Sequence, residues 1–448
     1  MLRRLAAPAL LALAACSRQD EFSGPPVLVI GVDGLEWSVL EPLMAAGRAP
    51  NLKALAARGV AGTLETVKPA YSPVVWTSIA TGAPSEEHGI LFFNTFDADG
   101  KPSLPYTSEC RKLPAIWNVA GAAGRSVLSV AWWVSWPAER VPNARIVASY
   151  AAQAQGNILW KAGVWSDGLP ELTWPESLLE EILPALREGV PTGALKEDYD
   201  RIFGLVPPQW EWDLQLDTRF RTVYHGDRTH LRIAVEQLHK RPADLNMVYL
   251  GLPDVAGHYF WRYHEPEAFS FHVQPDRVQA LSGRIAAAYE QVDAWVGELV
   301  AAAPAGARIL VISDHGMHAN AGLTDENKWN NPQSGVHDDG PPGVAILAGP
   351  GIPARGLLPA ESRRVGSVYD VFPTLLDWLD LPQPPESESP GQPLRAWMSP
   401  EWQAQQPLRR GRSYRDGFRK PAPPRQPLEN ADEIFQRGMQ ELGYVLSQ

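Results

Sequence analysis

Short apolar runs alternate with segments of helical spacing along most of the chain. The runs Val27–Val32, 245–251 and Gly343–Ala348 have the length and the mainly apolar character of strands buried on both faces. Helical spacing lies between and after them, as at 227–240 and 369–381. Alternating strands and helices predict an α/β fold, with a mostly parallel central sheet and helices on both of its faces.

The other segments continue this alternation. The helix that we predict at 72–81 ends at Gly82, and Pro50 and Pro73 each suit a position at the start of a helix. In all, we predict further strands at 60–67 and 126–132, and further helices at 35–47, 50–58, 72–81, 114–123 and 273–303.

One apolar run ends in side chains that suit a metal site. Residues 308–317 read RILVISDHGM, so a strand of the buried type is followed at once by Asp314 and His315. Ligand sites in open α/β sheets lie at the carboxyl edge of the strands. Neighbouring Asp and His provide the mixed oxygen and nitrogen ligands that zinc accepts. We therefore expect other parts of the chain to bring more such ligands to this edge.

The regular pattern fades between residues 151 and 224, where tryptophans lie among Pro, Gly and acidic residues. This stretch is either a lid over the site or a peripheral subdomain whose tryptophans fill a small core of their own. The chain then divides into a leader (1–15), a tether (16–26), a core in two parts (27–150 and 226–398), an inserted cap (151–225) and a tail (399–448), in which 431–446 has amphipathic helical spacing.

Composition and charge narrow the function. Of the 448 residues, 45% are hydrophobic and 20% are charged, so a large core can be buried. The formal net charge of −11 argues against nucleic acid as a major partner, since phosphate contacts need clustered Lys and Arg. An acidic protein that binds an anionic substrate needs local positive charge, which metal ions would supply.

The first residues resemble a bacterial lipoprotein signal. Two arginines, an apolar stretch too short to span a bilayer, and then Leu13, Ala14 and Ala15 precede Cys16. By this resemblance, Cys16 would carry lipid and anchor an exported protein to a membrane of the bacterial cell envelope. The alternative is an ordinary cleaved signal peptide. With Cys16 lipidated, Cys110 has no partner and no intramolecular disulfide can form.

Carboxylate and imidazole side chains recur beside the predicted strands. Each alone is weak evidence, because a strand-end Asp usually caps a helix or forms a turn, and a lone His is usually structural. Together they would serve two ions, which could stabilise both oxygens of an in-line displacement. Zinc suits these residue types best, and manganese and iron remain open. The candidate ligands are Asp33, Asp254, His258, Asp314, His315 and His337.

The chemistry also needs a nucleophile, for which Ser72 is the main candidate. Ser72 precedes Pro73, so we predict that it is the N-cap of the helix, with its hydroxyl at the positive end of the helix dipole. It would attack phosphorus there, or else it only caps the helix. Thr77 is the rival, but it lies in the middle of the helix, so Ser72 is favoured on accessibility.

Five motifs in this order closely resemble the alkaline phosphatase superfamily, and within it the type I phosphodiesterase/nucleotide pyrophosphatase branch. They read GVDGLEW, SPVVWTSIATG with EEHGI, LPDVAGHYF, ISDHGM and SGVHDDG, and the similarity covers residues 27–382. The resemblance implies an alkaline-phosphatase-like three-layer sandwich and two zinc ions. It places the nucleophile nine residues before Thr81, at Ser72. It assigns one zinc to Asp254, His258 and His337, and the other to Asp33, Ser72, Asp314 and His315.

The chain departs from this branch at two positions. Members of the branch usually have Thr followed by an aromatic residue and Pro, whereas residues 72–76 of this chain read SPVVW. Phe93 occupies the place of the branch's phosphate-contacting asparagine, so the next residue, Asn94, is the candidate phosphate ligand. The resemblance therefore does not extend to nucleotide specificity.

These observations favour a metal-dependent phosphoric-ester hydrolase, a phosphodiesterase that acts through a phosphoseryl intermediate on Ser72. One alternative is a transferase that passes a phosphoryl or headgroup unit to an alcohol at an envelope lipid. Another is a catalytically silent lipoprotein that binds a ligand in the same pocket. Sulfate ester cleavage is disfavoured, because superfamily sulfatases have an arginine in a C/S-x-P-x-R setting that SPVVW lacks.

Overall fold

The computed structural model describes residues 22–152, 170–189 and 193–423. Its strands are β1 (Val27–Val32), β2 (Gly59–Glu65), β3 (Asn94–Phe96), β4 (Pro102–Pro105), β5 (Val127–Val130), β6 (Ala144–Val147), β7 (Thr173–Trp174), β8 (Leu245–Leu250), β9 (Arg308–Ile312), β10 (His318–Ala319), β11 (Gly335–Val336), β12 (Gly343–Ala348), β13 (Gly356–Leu357) and β14 (Arg364–Ser367).

The helices are α1 (Trp37–Ala45), α2 (Pro50–Ala57), α3 (Ser72–Thr81), α4 (Ser85–His88), α5 (Ile116–Ala122), α6 (Leu178–Glu188), α7 (Ala194–Phe203), α8 (Glu211–Lys240), α9 (Leu252–His264), α10 (Pro275–Leu281), α11 (Arg284–Ala302), α12 (Val371–Trp378) and α13 (Pro400–Gln405). The helix predicted at 273–303 is divided into α10 and α11 around Gly283, where sequence spacing alone suggested one continuous helix.

A ten-stranded sheet forms the centre of the molecule, in the order β13-β2-β12-β9-β1-β8-β5-β6-β7, with β14 also paired to β2. The strands from β9 to β6 are parallel, whereas β12 runs antiparallel to both of its neighbours. The central strands β1, β8, β9 and β12 are buried along their whole length, which explains why apolar residues dominate their sequences. The predicted mostly parallel sheet is confirmed.

Helices cover the sheet in two groups. The first contains α1, α2, α8, α9 and α11, which pack on one another, and the second contains α3, α5 and α12. Their apolar faces and the strands share one core cluster. The predicted three-layer α/β architecture is therefore confirmed.

The strand directions bring distant parts of the chain to one edge. The carboxyl ends of β9, β1 and β8 lie side by side because these strands are parallel neighbours. Because β12 is antiparallel, its start lies beside the end of β9, with Ala345 opposite Ile312. The end of β2 lies beside the same start, with Leu64 opposite Gly343. Loops after β1, β2, β8 and β9 and the loop before β12 therefore meet.

The described part of the stretch 151–224 is more regular than its sequence suggested. It contributes α6, α7, and the first half of α8, which begins at Glu211 rather than near residue 227. Leu216, Phe220 and Val223 are buried there at helical spacing, in a helix whose other residues are mostly polar. These helices pack into the common core. Trp160 and Trp165, two of the five tryptophans of this stretch, lie outside the described residues.

Parts of both chain ends lie outside the described residues as well, including Cys16 and the predicted helix at 431–446. The tail that is described packs on the core: Arg419 lies 3.1 Å from Glu139, which also accepts a hydrogen bond from Arg111 at 2.8 Å. Among the residues described, none of the helices has the length and apolar character needed to cross a bilayer.

Candidate active site

Three buried carboxylates lie at the carboxyl edge of neighbouring strands. Asp33 follows β1, Asp314 follows β9, and Asp254 lies in the first turn of α9, directly after β8. Their side chains come close together because these strands are adjacent in the sheet. Every candidate ligand that the sequence suggested at these loops lies at this edge.

Asp33, Asp314 and His315 form one group of possible metal ligands. Nε2 of His315 lies 3.2 Å from Oδ1 of Asp33 and 3.2 Å from Oδ2 of Asp314. One ligand atom from each residue lies within 4.8 Å of the others. This spacing leaves room for a single ion among two carboxylates and one imidazole.

Asp254, His258 and His337 surround a neighbouring space. Nε2 of His258 lies 3.4 Å from Oδ1 of Asp254 and 3.2 Å from Nε2 of His337. His315 lies between the two groups, since its ring stacks on that of His337 with centroids 3.8 Å apart, and it also lies within 4.8 Å of the Asp254 and His337 ligand atoms. The structure thus brings all six candidate ligands together, with His315 adjacent to both groups.

Hydrogen bonds to the backbone orient two of the histidines. Nδ1 of His258 lies 2.8 Å from the carbonyl of Gly335, and Nδ1 of His315 lies 3.2 Å from the carbonyl of Gly316. A carbonyl only accepts, so Nδ1 carries a hydrogen, and when the ring is neutral the lone pair of Nε2 faces the carboxylates. Metal-binding histidines are commonly held in this way.

The charges of this cluster need cations. Burial, and then the negative charge of Asp33, raise the pKa of Asp254 and of Asp314 well above the usual value. Burial lowers the pKa of His258 to about 4, so its ring is neutral at pH 7. Within the described part of the chain, no donor forms a hydrogen bond with either oxygen of Asp314 or with Oδ1 of Asp254. Buried carboxylates without donors beside neutral imidazoles are the donor set that divalent metal ions take.

Ser72 lies at the edge of this cluster. It is the first residue of α3, and its neighbour Tyr71 is the N-cap, so the predicted capping role of Ser72 is wrong by one residue. Its hydroxyl lies 3.5 Å from Oδ1 of Asp33 and 3.4 Å from Nε2 of His315. The hydroxyl is therefore available for chemistry beside the candidate metal ligands.

The other two polar candidates differ from Ser72 in their contacts. Oγ1 of Thr77 donates a hydrogen bond to the carbonyl of Pro73 at 2.7 Å, so it is engaged along the helix. Asn94 is buried in the hairpin of β3 and β4, and its amide donates to the carbonyl of Ser103 at 3.1 Å. Asn94 as a phosphate ligand stays a prediction.

Three aromatic residues that sequence reasoning missed surround Asp33. Its Oδ2 accepts hydrogen bonds from Tyr249 at 2.6 Å, from Trp76 at 3.0 Å and from Trp133 at 3.3 Å. Burial acts to raise the pKa of Asp33, but the hydrogen bond and charge of His315 and the hydrogen bond of Tyr249 outweigh it, so this pKa is lowered. The available signal was position: Trp133 follows β5, and Trp76 lies one helical turn after Ser72.

An apolar rim lies next to Ser72. The ring of Tyr71 packs edge-on against Phe92, with centroids 4.8 Å apart, and Phe92 lies 5.6 Å from Phe96. Leu91 and Phe96 are 55% and 53% exposed. Exposed apolar side chains linked in this way to a site can contact apolar groups of a substrate.

Gly34 allows the loops after β1 and β8 to approach each other. Its φ is +71°, and a Cβ there would lie 2.7 Å from the Cα of Asp254. We expect Gly34→Ala to lower the free energy of unfolding by about 3 kcal/mol, combining left-handed strain with overpacking. Gly47→Ala is the matched control, because φ is +74° there but nothing lies within 4 Å, so only about 1 kcal/mol of strain is expected. Urea denaturation of both variants measures the difference, and equal losses would contradict the close approach.

Comparison with known proteins agrees with the motifs. The model of the type I phosphodiesterase / nucleotide pyrophosphatase family matches residues 27–377. A 2,3-bisphosphoglycerate-independent phosphoglycerate mutase of Synechococcus sp. (strain JA-3-3Ab) is 40% identical over 105 residues, which are 22% of this chain and 18% of the mutase. The chain thus spans about a fifth of the length of this curated relative.

Solved structures with similar folds are more distant in sequence. Human ectonucleotide pyrophosphatase / phosphodiesterase 5 is 14% identical, with a TM-score of 0.47, and the match covers 84% of this chain and 100% of that one. Phosphonoacetate hydrolase from Sinorhizobium meliloti 1021, in complex with phosphonoformate, is 19% identical, with a TM-score of 0.37, and the match covers 66% of this chain and 58% of that one.

Proposed function

Since the chain belongs to the type I phosphodiesterase / nucleotide pyrophosphatase family, we propose that it hydrolyses phosphoric esters, with Ser72 as the nucleophile. One observation supports this most: the buried hydroxyl of Ser72 lies within 3.5 Å of both Asp33 and His315. A serine in this position can attack phosphorus at the edge of a cation-binding cluster.

Two divalent metal ions, with zinc the best fit, are part of this proposal. Asp33, Asp314 and His315 would hold one with Ser72, and Asp254, His258 and His337 would hold the other. Such ions supply Lewis acidity and neutralise the charge that develops on phosphorus and its oxygens. The buried carboxylate oxygens of Asp254 and Asp314 that accept no hydrogen bond within the described part of the chain support this assignment.

The reaction would proceed as two successive displacements at phosphorus. Oγ of Ser72 forms a bond to phosphorus while the bond to the leaving oxygen breaks, which gives a phosphoseryl enzyme. Water then attacks this phosphorus and restores the serine. The N-terminus of α3 can stabilise the anion in both displacements, because the free backbone amides of the first helical turn lie at the end that begins with Ser72.

We also propose that the protein is exported and held at the bacterial cell envelope by lipid on Cys16. The charged start, short apolar stretch and small residues before Cys16 support this part of the proposal. Radiolabelled fatty acid should enter the wild-type protein and be absent from a Cys16→Ser variant. Equal labelling of both would contradict it.

A substrate panel tests the reaction. Purified protein should hydrolyse bis(p-nitrophenyl) phosphate, lose this activity after chelation, and regain it on addition of zinc. Adding an acceptor alcohol distinguishes transfer, in which a new ester forms, from hydrolysis. A metal-loaded protein that turns over no mono-, di- or phosphonate ester would instead favour the silent ligand-binding lipoprotein.

The apolar rim adds a prediction on substrate preference. Bis(p-nitrophenyl) phosphate and methyl p-nitrophenyl phosphate have the same leaving group, and only the first has an aryl group left to contact the rim. We expect a KM at least about 5-fold lower for the aryl diester, since one buried ring contributes about 1 kcal/mol or more. Phe96→Ser should reduce this ratio, whereas Leu408→Ser, at an exposed leucine of the tail, should keep it. Equal ratios in both variants would contradict the role of the rim.

A further inference from the structure

One oxygen of Asp33 is surrounded by neutral donors from three separate elements. The indole of Trp76 comes from α3, that of Trp133 from the loop after β5, and the phenol of Tyr249 from β8. All three hydrogen bonds end on Oδ2, at 3.0, 3.3 and 2.6 Å. No such donor reaches either oxygen of Asp314 among the residues described, although that carboxylate lies in the same cluster.

Packing holds these three rings in place. The ring of Trp76 lies edge-on to Tyr249, with centroids 5.4 Å apart, and Trp133 also lies edge-on to Tyr249, at 6.1 Å. Gly31 in β1 makes room for the indole of Trp76, because a Cβ at that position would lie 2.7 Å from it. Three rings that support one another around one carboxylate form a built arrangement, and its hydrogen bonds cost little side-chain entropy.

The arrangement fixes which oxygen of Asp33 faces the cluster. A carboxylate accepts at two oxygens, and the three donors occupy Oδ2. Oδ1 is then directed toward the nucleophile side, where it lies 3.2 Å from Nε2 of His315 and 3.5 Å from the hydroxyl of Ser72. Asp33 is therefore oriented before any cation arrives, whereas Asp314 has no donor that orients it.

We propose that Trp76, Trp133 and Tyr249 are positioning residues that hold Asp33 so that it binds its cation through Oδ1 alone. This inference rests on the metal site of the proposed function. Outer-shell partners of metal ligands typically contribute 10- to 100-fold to metal affinity or activity. Because two of the donors are indoles, the arrangement also makes tryptophan fluorescence sensitive to occupancy of the site.

Removing the donors while keeping the rings tests the proposal. Trp133→Phe and Tyr249→Phe should each weaken zinc affinity by about 10-fold or more, and the double variant should lose more than either. Affinity is measured on the full-length metal-free protein by competition with a chromophoric chelator. The control is Trp132→Phe, because the indole of Trp132 donates to the backbone carbonyl of Trp76 at 3.3 Å and not to Asp33. Zinc affinity of this control should stay within about 2-fold of wild type.

Fluorescence gives a second readout that a general loss of stability would not imitate. Zinc should change tryptophan emission in the wild type and in Trp132→Phe, and the change should be smaller in Trp133→Phe. A double variant with unchanged zinc affinity would overturn the proposal, whatever its melting temperature. Because neither readout uses a substrate, weakened zinc binding in a protein that hydrolyses no ester would uphold this inference and refute the proposed function.

Discussion

Ser72→Ala lowers kcat for bis(p-nitrophenyl) phosphate by roughly 10⁴-fold in our account, because the atom that forms the bond to phosphorus is removed. The substitution deletes one oxygen at the start of α3 and leaves the Asp33 and His315 side chains in place. Since all six carboxylate and imidazole ligands remain on other elements, the protein should still bind close to two zinc ions. Turnover is measured spectrophotometrically and metal content by mass spectrometry of the same sample.

Thr77→Val is the matched control for this prediction. Oγ1 of Thr77 is bonded to the carbonyl of Pro73 at 2.7 Å, and valine keeps the shape of the side chain. We expect its kcat to stay within about 3-fold of wild type, since a helix back-bond contributes little. Acid quenching during turnover should also trap phosphate on Ser72 in the wild type. A Ser72→Ala variant that keeps both its metal and its turnover would refute the nucleophile.

Asp314→Asn should change activity and stability in opposite directions. The amide can no longer balance a cation, so zinc affinity and kcat should fall by more than the roughly 100-fold that loss of an outer-shell partner costs. The metal-free variant should nevertheless be more stable than the metal-free wild type at pH 7, on the order of 1–2 kcal/mol, because one of three adjoining buried carboxylates is removed. An amide can also donate to the neighbouring carboxylates.

The same buried carboxylates also affect how the stability of the metal-free protein depends on pH. Burial and the charge of Asp33 raise the pKa values of Asp254 and Asp314 in the folded protein. Their contribution to stability is therefore fully present below the unfolded pKa of about 4, and it is lost as the pH rises through the folded pKa values. Buried histidines whose pKa is lowered, such as His258 and His230, act in the opposite direction below about pH 6.5, so the effect is measured as a difference between two proteins. In urea denaturation of chelated protein from pH 4 to pH 8, Asp314→Asn should gain stability relative to wild type as the pH rises.

Asp293→Asn is the control for the changes in zinc affinity and in stability that we expect of Asp314→Asn. This buried carboxylate accepts hydrogen bonds from the backbone amides of Asn51 and Leu52, at 3.1 and 2.7 Å, far from the candidate ligands in sequence and on other elements. Its substitution should destabilise the metal-free protein by about 1–2 kcal/mol and leave zinc affinity unchanged. If Asp314→Asn destabilised the metal-free protein in the same way, the crowding of charge at the site would be refuted.

Most of the site could be predicted from the sequence because its ligands follow strands. Asp33, Asp314 and the Asp254 loop come directly after apolar runs, and parallel strands bring such ends to one edge. His337 reaches that edge because β12 is antiparallel, a direction that its apolar sequence does not encode. The sequence suggested His337 because it lies just ahead of the apolar run 343–348, and the strand register explains how it reaches the site.

The donors around Asp33 were missed for a physical reason. Trp76, Trp133 and Tyr249 look like core residues in the sequence, and their rings are indeed packed. Only the directions of their polar atoms distinguish a core ring from a positioning residue, and these directions depend on tertiary packing. The first half of α8 was missed for a related reason: its few apolar residues are buried only through their packing in the common core, which the sequence does not show.

Anomalous diffraction at the zinc edge, on crystals of the zinc-loaded protein, would show directly whether two cations lie next to the Ser72 hydroxyl. We expect two peaks, one on each side of the Ser72 hydroxyl. One peak should lie against Oδ1 of Asp33 with Asp314 and His315, and the other against Asp254, His258 and His337. A single peak, or peaks from which Ser72 is remote, would contradict it.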